Sequence, residues 1–274
     1  MNRILNISNS LASPNQIEPI HLFLGSCLEG TGVCGELYLY LARILGPDFI
    51  SKISNSIKPN HNEGFHLIDN HKLSNVAKQI IDQAHEKMSH FNQIYINEGH
   101  LFSSLLNTID FPFISDELKI NILNITSSPR DLTVLLEGFT FEDFGNVTEV
   151  EIRRVTHDDN HDLIHFVRSE FGERWIEAVN CGFSYEKEIP IFIAIINGQI
   201  IGFACFDVVR NKKGLFGPMG TSKKCRKNGI GKMLLHYSLE SMKLLGYEYA
   251  IIGQAGPIEF YEKNSNAMLI PVKE

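Results

Sequence analysis

The chain has 274 residues, 43% of them apolar and 21% charged, a balance that suits a globular protein of two modest domains and excludes a fibre or a disordered chain. A formal net charge of −7 excludes general nucleic-acid binding, which needs a basic face to displace counterions, so any anion site must be local. Five cysteines, odd in number and never in a CxxC pair, read as reduced thiols; no run reaches the roughly 18 apolar residues of a membrane helix, and a cytoplasmic location without membrane contact is expected.

Up to about residue 135 the apolar residues recur at helical spacing, as in Leu22, Phe23, Cys27 and in Leu37, Leu39, Leu41, Ile44, so this half is expected to be all-helical. It contains an internal repeat. Ile17-Glu18-Pro19-Ile20-His21-Leu22-Phe23 returns in spaced form as Ile96-Asn97-Glu98-Gly99-His100-Leu101-Phe102, each copy opening a leucine-rich helix. Two equivalent units over about 8–60 and 75–130, joined by the polar segment Ser51 to Asn75, are expected to pack as a pseudo-twofold pair. His21 and His100 each start a helix inside an apolar motif, which marks structural histidines rather than metal ligands, and no metal site is expected. These motifs resemble the amino-terminal domain of Clp-type ATPases, where each of two repeats carries an Ile-x-x-x-His-Leu-Leu type signature. The resemblance implies a non-catalytic domain that binds a protein partner, adaptor or ligand; both copies here end in Phe rather than Leu.

Between the halves, residues 137–146 are acidic and glycine-punctuated but carry Phe139, Phe141 and Phe144, so they are expected to pack on one domain, with the boundary near residue 147. From Val150 the grammar changes to short β-type runs alternating with helices. Asn197-Gly198, between Ile191–Ile196 and Gln199–Phe206, supplies the two positive-φ residues of a tight hairpin. A run over Leu215–Thr221, a helix from Ile230 capped by Gly246, a strand over Tyr249–Gly253, a short helix from Ile258 and a last strand near Ala267–Ile270 follow. The expected order is strand, helix, three strands, helix, strand, helix, strand: an α/β domain over 148–274.

Lys223-Lys224-Cys225-Arg226-Lys227-Asn228-Gly229-Ile230-Gly231-Lys232 holds five cations and no acid, and joins an expected strand to an expected helix. Successive backbone N–H groups at a helix N-terminus, with glycine where a ligand must approach the backbone, make a phosphate site. A Walker loop needs Gly at 226 and Ser or Thr at 233, where Arg226 and Met233 stand; a dinucleotide fingerprint needs Gly at 234, where Leu234 stands.

The Arg-x-x-Gly-x-Gly pattern after a strand, with the element order over about 120 residues, resembles the GNAT N-acetyltransferase family, whose sheet is mixed and mostly antiparallel. The resemblance implies that acetyl-CoA is the co-substrate, with the backbone of Met219, Gly220 and Thr221 on its pantetheine arm and Arg226, Lys227, Asn228, Gly229, Ile230 and Gly231 around its pyrophosphate. Phe260-Tyr261-Glu262-Lys263 looks like a second family segment, and Tyr261 matches its usual general acid. Two departures stand out: Gly256-Pro257-Ile258-Glu259 replaces the usual approach to that segment, and the chain stops four residues after Ile270, leaving the family's final strand missing. Glu170, Glu173, Asp207 and Glu259 are the acids near the expected cleft, with none singled out as base; Trp175, Phe183 and Tyr185, within Gly172–Pro190, are expected around the acceptor. The expected activity is acetyl transfer from acetyl-CoA to a primary amine, small-molecule or lysine-type, by direct attack. The alternative is a catalytically weak coenzyme A-binding regulatory or adaptor protein that acts through the Clp-like half.

Overall fold

The computed structural model describes residues 1–12, 14–57, 65–68, 70–90, 93, 95–127, 129–142, 144, 149–210, 212–225 and 229–271. Contacts divide the chain into two units, Met1–Pro129 and Arg130–Ile270.

Within the first unit, helices α1 (Asn2–Ala12), α2 (Pro19–Glu29), α3 (Gly32–Leu45) and α4 (Phe49–Ser56) precede a hairpin of β1 (His66–Ile68) and β2 (His71–Leu73). Helices α5 (Asn75–His90), α6 (Glu98–Thr108) and α7 (Asp116–Ser127) follow. The small hairpin departs from the expected all-helical half. It falls in the expected polar connection, and Leu73 is drawn into the core beside Ile17 by a β-bridge. The two repeat motifs have matching geometry. The Glu18 N–H donates to His21 Nδ1 at 2.9 Å and the Asn97 N–H to His100 Nδ1 at 3.2 Å, so each histidine satisfies a backbone donor at the start of its helix. Phe23 and Phe102, the last residues of the two motifs, meet edge to face at 5.9 Å. Helix α1 closes on α2 at Gly25, where an added Cβ would strike Ser8 Oγ; that hydroxyl donates to the Ile4 and His21 carbonyls.

The second unit begins earlier than the expected boundary near 147. Leu132, Val134 and Leu136 are buried while Asp131 and Leu135 are exposed, a period of two that makes β3 (Arg130–Leu135) a strand rather than the end of a helical half. The rest follow in the expected order with one addition, a second helix α9 inside the stretch 172–190 that was expected to be a loop: β4 (Glu151–Arg154), α8 (Asn160–Phe171), α9 (Ile176–Phe183), β5 (Ile191–Ile196), β6 (Gln199–Phe206), β7 (Leu215–Thr221), α10 (Ile230–Leu244), β8 (Tyr249–Ala255), α11 (Ile258–Ser265) and β9 (Met268–Leu269). The sheet order is β4-β5-β6-β7-β8-β3-β9, antiparallel throughout except for the parallel pair β7–β8. Asn197 and Gly198 turn the β5–β6 hairpin with φ of 50° and 76°. Strand β3, from upstream of β4, lies between β8 and β9 and pairs antiparallel with both.

One face of the sheet carries α8 and α9 over Ile191, Ile193, Phe203 and Cys205. The other carries α10, whose Leu234 lies over Gly202. Leaving β3, the chain crosses α10: Phe139 and Phe144 pack on His236, and Phe141 on His236 and Tyr237. The Glu142 N–H donates to His236 Nδ1 at 3.2 Å, which leaves Nε2 to donate to the Asn264 carbonyl at 2.8 Å and tie α10 to α11.

Candidate active site

Strands β7 and β8 are paired only at Leu215 with Ile251 and Phe216 with Ile252. Beyond that point β7 remains paired with β6, through Met219 with Ala204, Gly220 with Phe203 and Thr221 with Gly202. On its far side β8 remains paired with β3 as far as Ala255. The two strands therefore part, and the edge of β7 from Gly217 to Thr221 faces a cleft instead of a partner strand. Met219, Gly220 and Thr221, singled out in the sequence, all lie on this edge. Gly220 has no room for a side chain: a Cβ there would sit 2.9 Å from Cε1 and Cε2 of Phe171 and closer still to Cζ. That ring is held in turn by Trp175 at 4.9 Å and by Phe203 and Phe166 at 6.0 Å.

Past Thr221 the chain turns. Ser222 Oγ donates to Glu170 Oε1 at 2.9 Å and the Lys223 N–H to Oε2 at 3.2 Å, and Lys223–Cys225 make a single 3-10 turn. Arg226, Lys227 and Asn228 lie outside the described residues. Gly229 precedes α10 with φ of 76°, in the left-handed region, and among the described residues nothing lies within 4 Å of the position its Cβ would take. Ile230 is buried, anchoring the first turn, and Gly231 faces Phe260 of α11. Lys232 is ion-paired with Glu142, so this cation, counted with the loop in the sequence, already has a partner.

Tyr261 is 8% exposed and packs on Phe216, the last residue of β7 before the strands part, with ring centroids 6.3 Å apart, and on Phe260 at 5.0 Å. Burial pushes its hydroxyl well above the ordinary tyrosine value, because the phenolate would lose its water, so the group keeps its proton.

The four acids separate by position. Glu170 is held by Ser222 and Lys223, as above. Glu173 pairs with Arg168 at 2.6 Å on the surface. Asp207 is 3% exposed and accepts from the Gly214 N–H and the Tyr247 hydroxyl, each at 2.7 Å, at the start of β7 where it is still paired with β8. Glu259 lies in the first turn of α11, on the element that bears Tyr261. The expected acceptor residues scatter likewise. Phe183 is buried among the α8–α9 contacts, the Tyr185 hydroxyl donates to the Asp207 carbonyl, and Trp175 packs on Phe171, the ring that closes on Gly220. Sequence reading missed Phe171 and Asp131. The latter extends from β3 to accept the Gln254 N–H at 2.7 Å, and alternation along 130–136 was the signal that could have found it. Among the described residues no group of three or more His, Cys, Asp or Glu is placed to hold a metal ion. No helix of the described residues is long and apolar enough to cross a membrane.

Comparison with known proteins places this geometry. The model of the acetyltransferase (GNAT) family matches residues 153–265. No curated protein matches the chain. Similar solved structures include a glucosamine N-acetyltransferase region in a fungal multi-domain β-N-acetylglucosaminidase, at 14% identity over 52% of this chain and 19% of that one, with a TM-score of 0.44. A GCN5-related N-acetyltransferase from Sphaerobacter thermophilus is similar at 15% identity over 52% of this chain and 49% of that one, with a TM-score of 0.42. A GNAT family acetyltransferase from Brucella melitensis, solved with acetyl-CoA, shows 16% identity over 46% of this chain and 89% of that one, with a TM-score of 0.34. The chain spans from about a fifth to about half the length of the first two. Residues 153–265, inside the unit Arg130–Ile270, are thus an acetyltransferase domain of the GNAT family.

Proposed function

We propose that the protein transfers the acetyl group of acetyl-CoA to a primary amine, small-molecule or lysine-type, by direct attack. The observation that carries this reading is the parting of β7 from β8 with Tyr261 seated against Phe216 at the fork. Acetyl-CoA supplies the activated acyl group as a thioester. The unpaired edge of β7 at Met219, Gly220 and Thr221 offers backbone donors and acceptors to an extended amide-bearing chain, and the open space at Gly229 fits a pyrophosphate held by residues 226–231 at the start of α10. The amine nitrogen attacks the carbonyl carbon, a C–N bond forms, and the C–S bond breaks. Tyr261, kept protonated by burial, gives its proton to the departing thiolate. With Glu170, Glu173 and Asp207 held by other partners, the proton lost by the amine leaves through water.

We place the acceptor in the cleft between β7 and β8, and we assign the Met1–Pro129 unit, with its two capped helix starts, a Clp-like role of binding a protein partner. The alternative reading, a catalytically weak coenzyme A-binding adaptor, drew on the missing last strand and on the absence of an assigned base; tight coenzyme A binding without any acetylated product would favour it. Substitution of Tyr261 by Phe tests the chemistry: coenzyme A binding is retained and kcat falls, whereas an unchanged kcat across pH removes Tyr261 from the reaction.

A further inference from the structure

Opposite Asp131, strand β8 holds one residue more than its partner. Arg130 pairs with Ala255 and Leu132 with Ile252, so Gly253 and Gln254 together face Asp131 alone. This is a β-bulge, a device that re-aims side chains near functional sites. Gln254 adopts φ of 49°, in the left-handed region that a residue with a side chain visits at some cost in energy. Asp131 Oδ1 accepts its N–H at 2.7 Å, while the Asp131 carbonyl accepts the N–H of Ile270 at 2.9 Å, so one residue fastens both neighbouring strands. The bulge lies past Ile252, the last residue of β8 paired with β7, and Gly253 and Gln254 are both exposed there. After Ala255 and Gly256, α11 begins at Ile258, with Pro257 as its N-cap, and carries Tyr261. A left-handed residue with a side chain, fastened by a carboxylate from an upstream strand, is not needed to complete the sheet; β3 and β8 pair regularly from Leu132 to Leu135 without it.

We infer that the Gly253–Gln254 bulge is the acceptor-side wall of the cleft, with Gln254 a specificity-determining contact for the amine and Asp131 the residue that positions it. This rests on the transferase reading above. It also makes β3 part of the site: the upstream strand sets the geometry of the wall.

The test uses the full chain and the variants Gln254→Ala, Asp131→Ala and Asp131→Asn, assayed with acetyl-CoA and a panel of primary amines. Gln254→Ala and Asp131→Ala should each raise KM for the preferred amine about tenfold and flatten the preference among amines, with KM for acetyl-CoA unchanged. Asp131→Asn keeps an oxygen acceptor and should restore wild-type selectivity. A purely structural role for Asp131 predicts instead that both KM values and the Tm move together. Unchanged amine KM and selectivity in both alanine variants would overturn the inference, as would a rise confined to acetyl-CoA. If the wild-type chain acetylates no amine, the transferase reading fails, and the latch is still judged separately by hydrogen exchange without substrate. The Gln254 amide should exchange about tenfold faster in Asp131→Ala than in wild type, and equal rates would remove Asp131 from the wall.

Discussion

Gly220→Ala is the most severe small change the structure allows near the cleft. The added methyl would lie 2.9 Å from two ring carbons of Phe171 and closer to a third, against the ~3.5–4.0 Å of an unstrained carbon contact. Relief needs a shift of about 1 Å, and the ring is not free to swing, since Trp175, Phe203 and Phe166 surround it. Overpacking of this kind costs about 2 kcal/mol, roughly 4–8 °C in Tm for a domain of this size. The same displacement moves the β7 edge, so coenzyme A binding should weaken with stability. Urea unfolding of Gly220→Ala, Phe171→Ala and the double variant forms a cycle. In the Phe171→Ala background the methyl meets space, so a coupling energy of about 2 kcal/mol is expected. A coupling near zero would refute the claim that Phe171 seals the backbone at Gly220.

Tyr261→Phe should lower kcat by about 10²–10⁴-fold with coenzyme A affinity unchanged by calorimetry, and because burial raises the Tyr261 pKa, wild-type kcat should show no alkaline loss below the ordinary tyrosine value of about 10. Burial lowers the pKa of His21, His100 and His236 below the ordinary histidine value of 6.5, and each uses Nδ1 to accept a backbone N–H. Since the unfolded chain then binds more protons, their contribution is full above 6.5 and is lost as pH falls below it. Stability measured by denaturant should therefore drop between about pH 7 and pH 5, and a flat profile contradicts the assignment. A chain starting at residue 148 loses Leu132, Val134 and Leu136, all buried, at about 1.5–3 kcal/mol each, a sum comparable with the whole stability of a domain. It should lack a cooperative unfolding transition, whereas a chain starting at 130 keeps one; equal behaviour would show that β3 is dispensable.

Much of the transferase domain was legible because its signals are local. Asn197-Gly198 dictates a tight hairpin, the apolar face of Ile230, Met233 and Leu234 dictates a helix, and glycines at 229 and 231 mark where backbone is left bare. The repeat in the first half was legible for the same reason, and the histidines in it proved to be capping residues. What escaped was non-local. Strand β3 has the right alternation, but six residues beside a helical stretch carry no mark of the sheet they join, and pairing across more than a hundred positions with β8 and β9 is fixed only by tertiary contacts. The roles of Asp207 and Tyr185 were hidden likewise, because their partners Tyr247 and Lys213 come from segments 40 and 28 positions further along the chain.

Incubation of the full chain with acetyl-CoA and a panel of primary amines, with thiol release and acetylated amine counted together, addresses the function itself. One acetylated amine for each thiol released, with both abolished or sharply reduced in Tyr261→Phe, is the expected result. Tight coenzyme A binding with no acetylated product from any amine would contradict the transferase assignment.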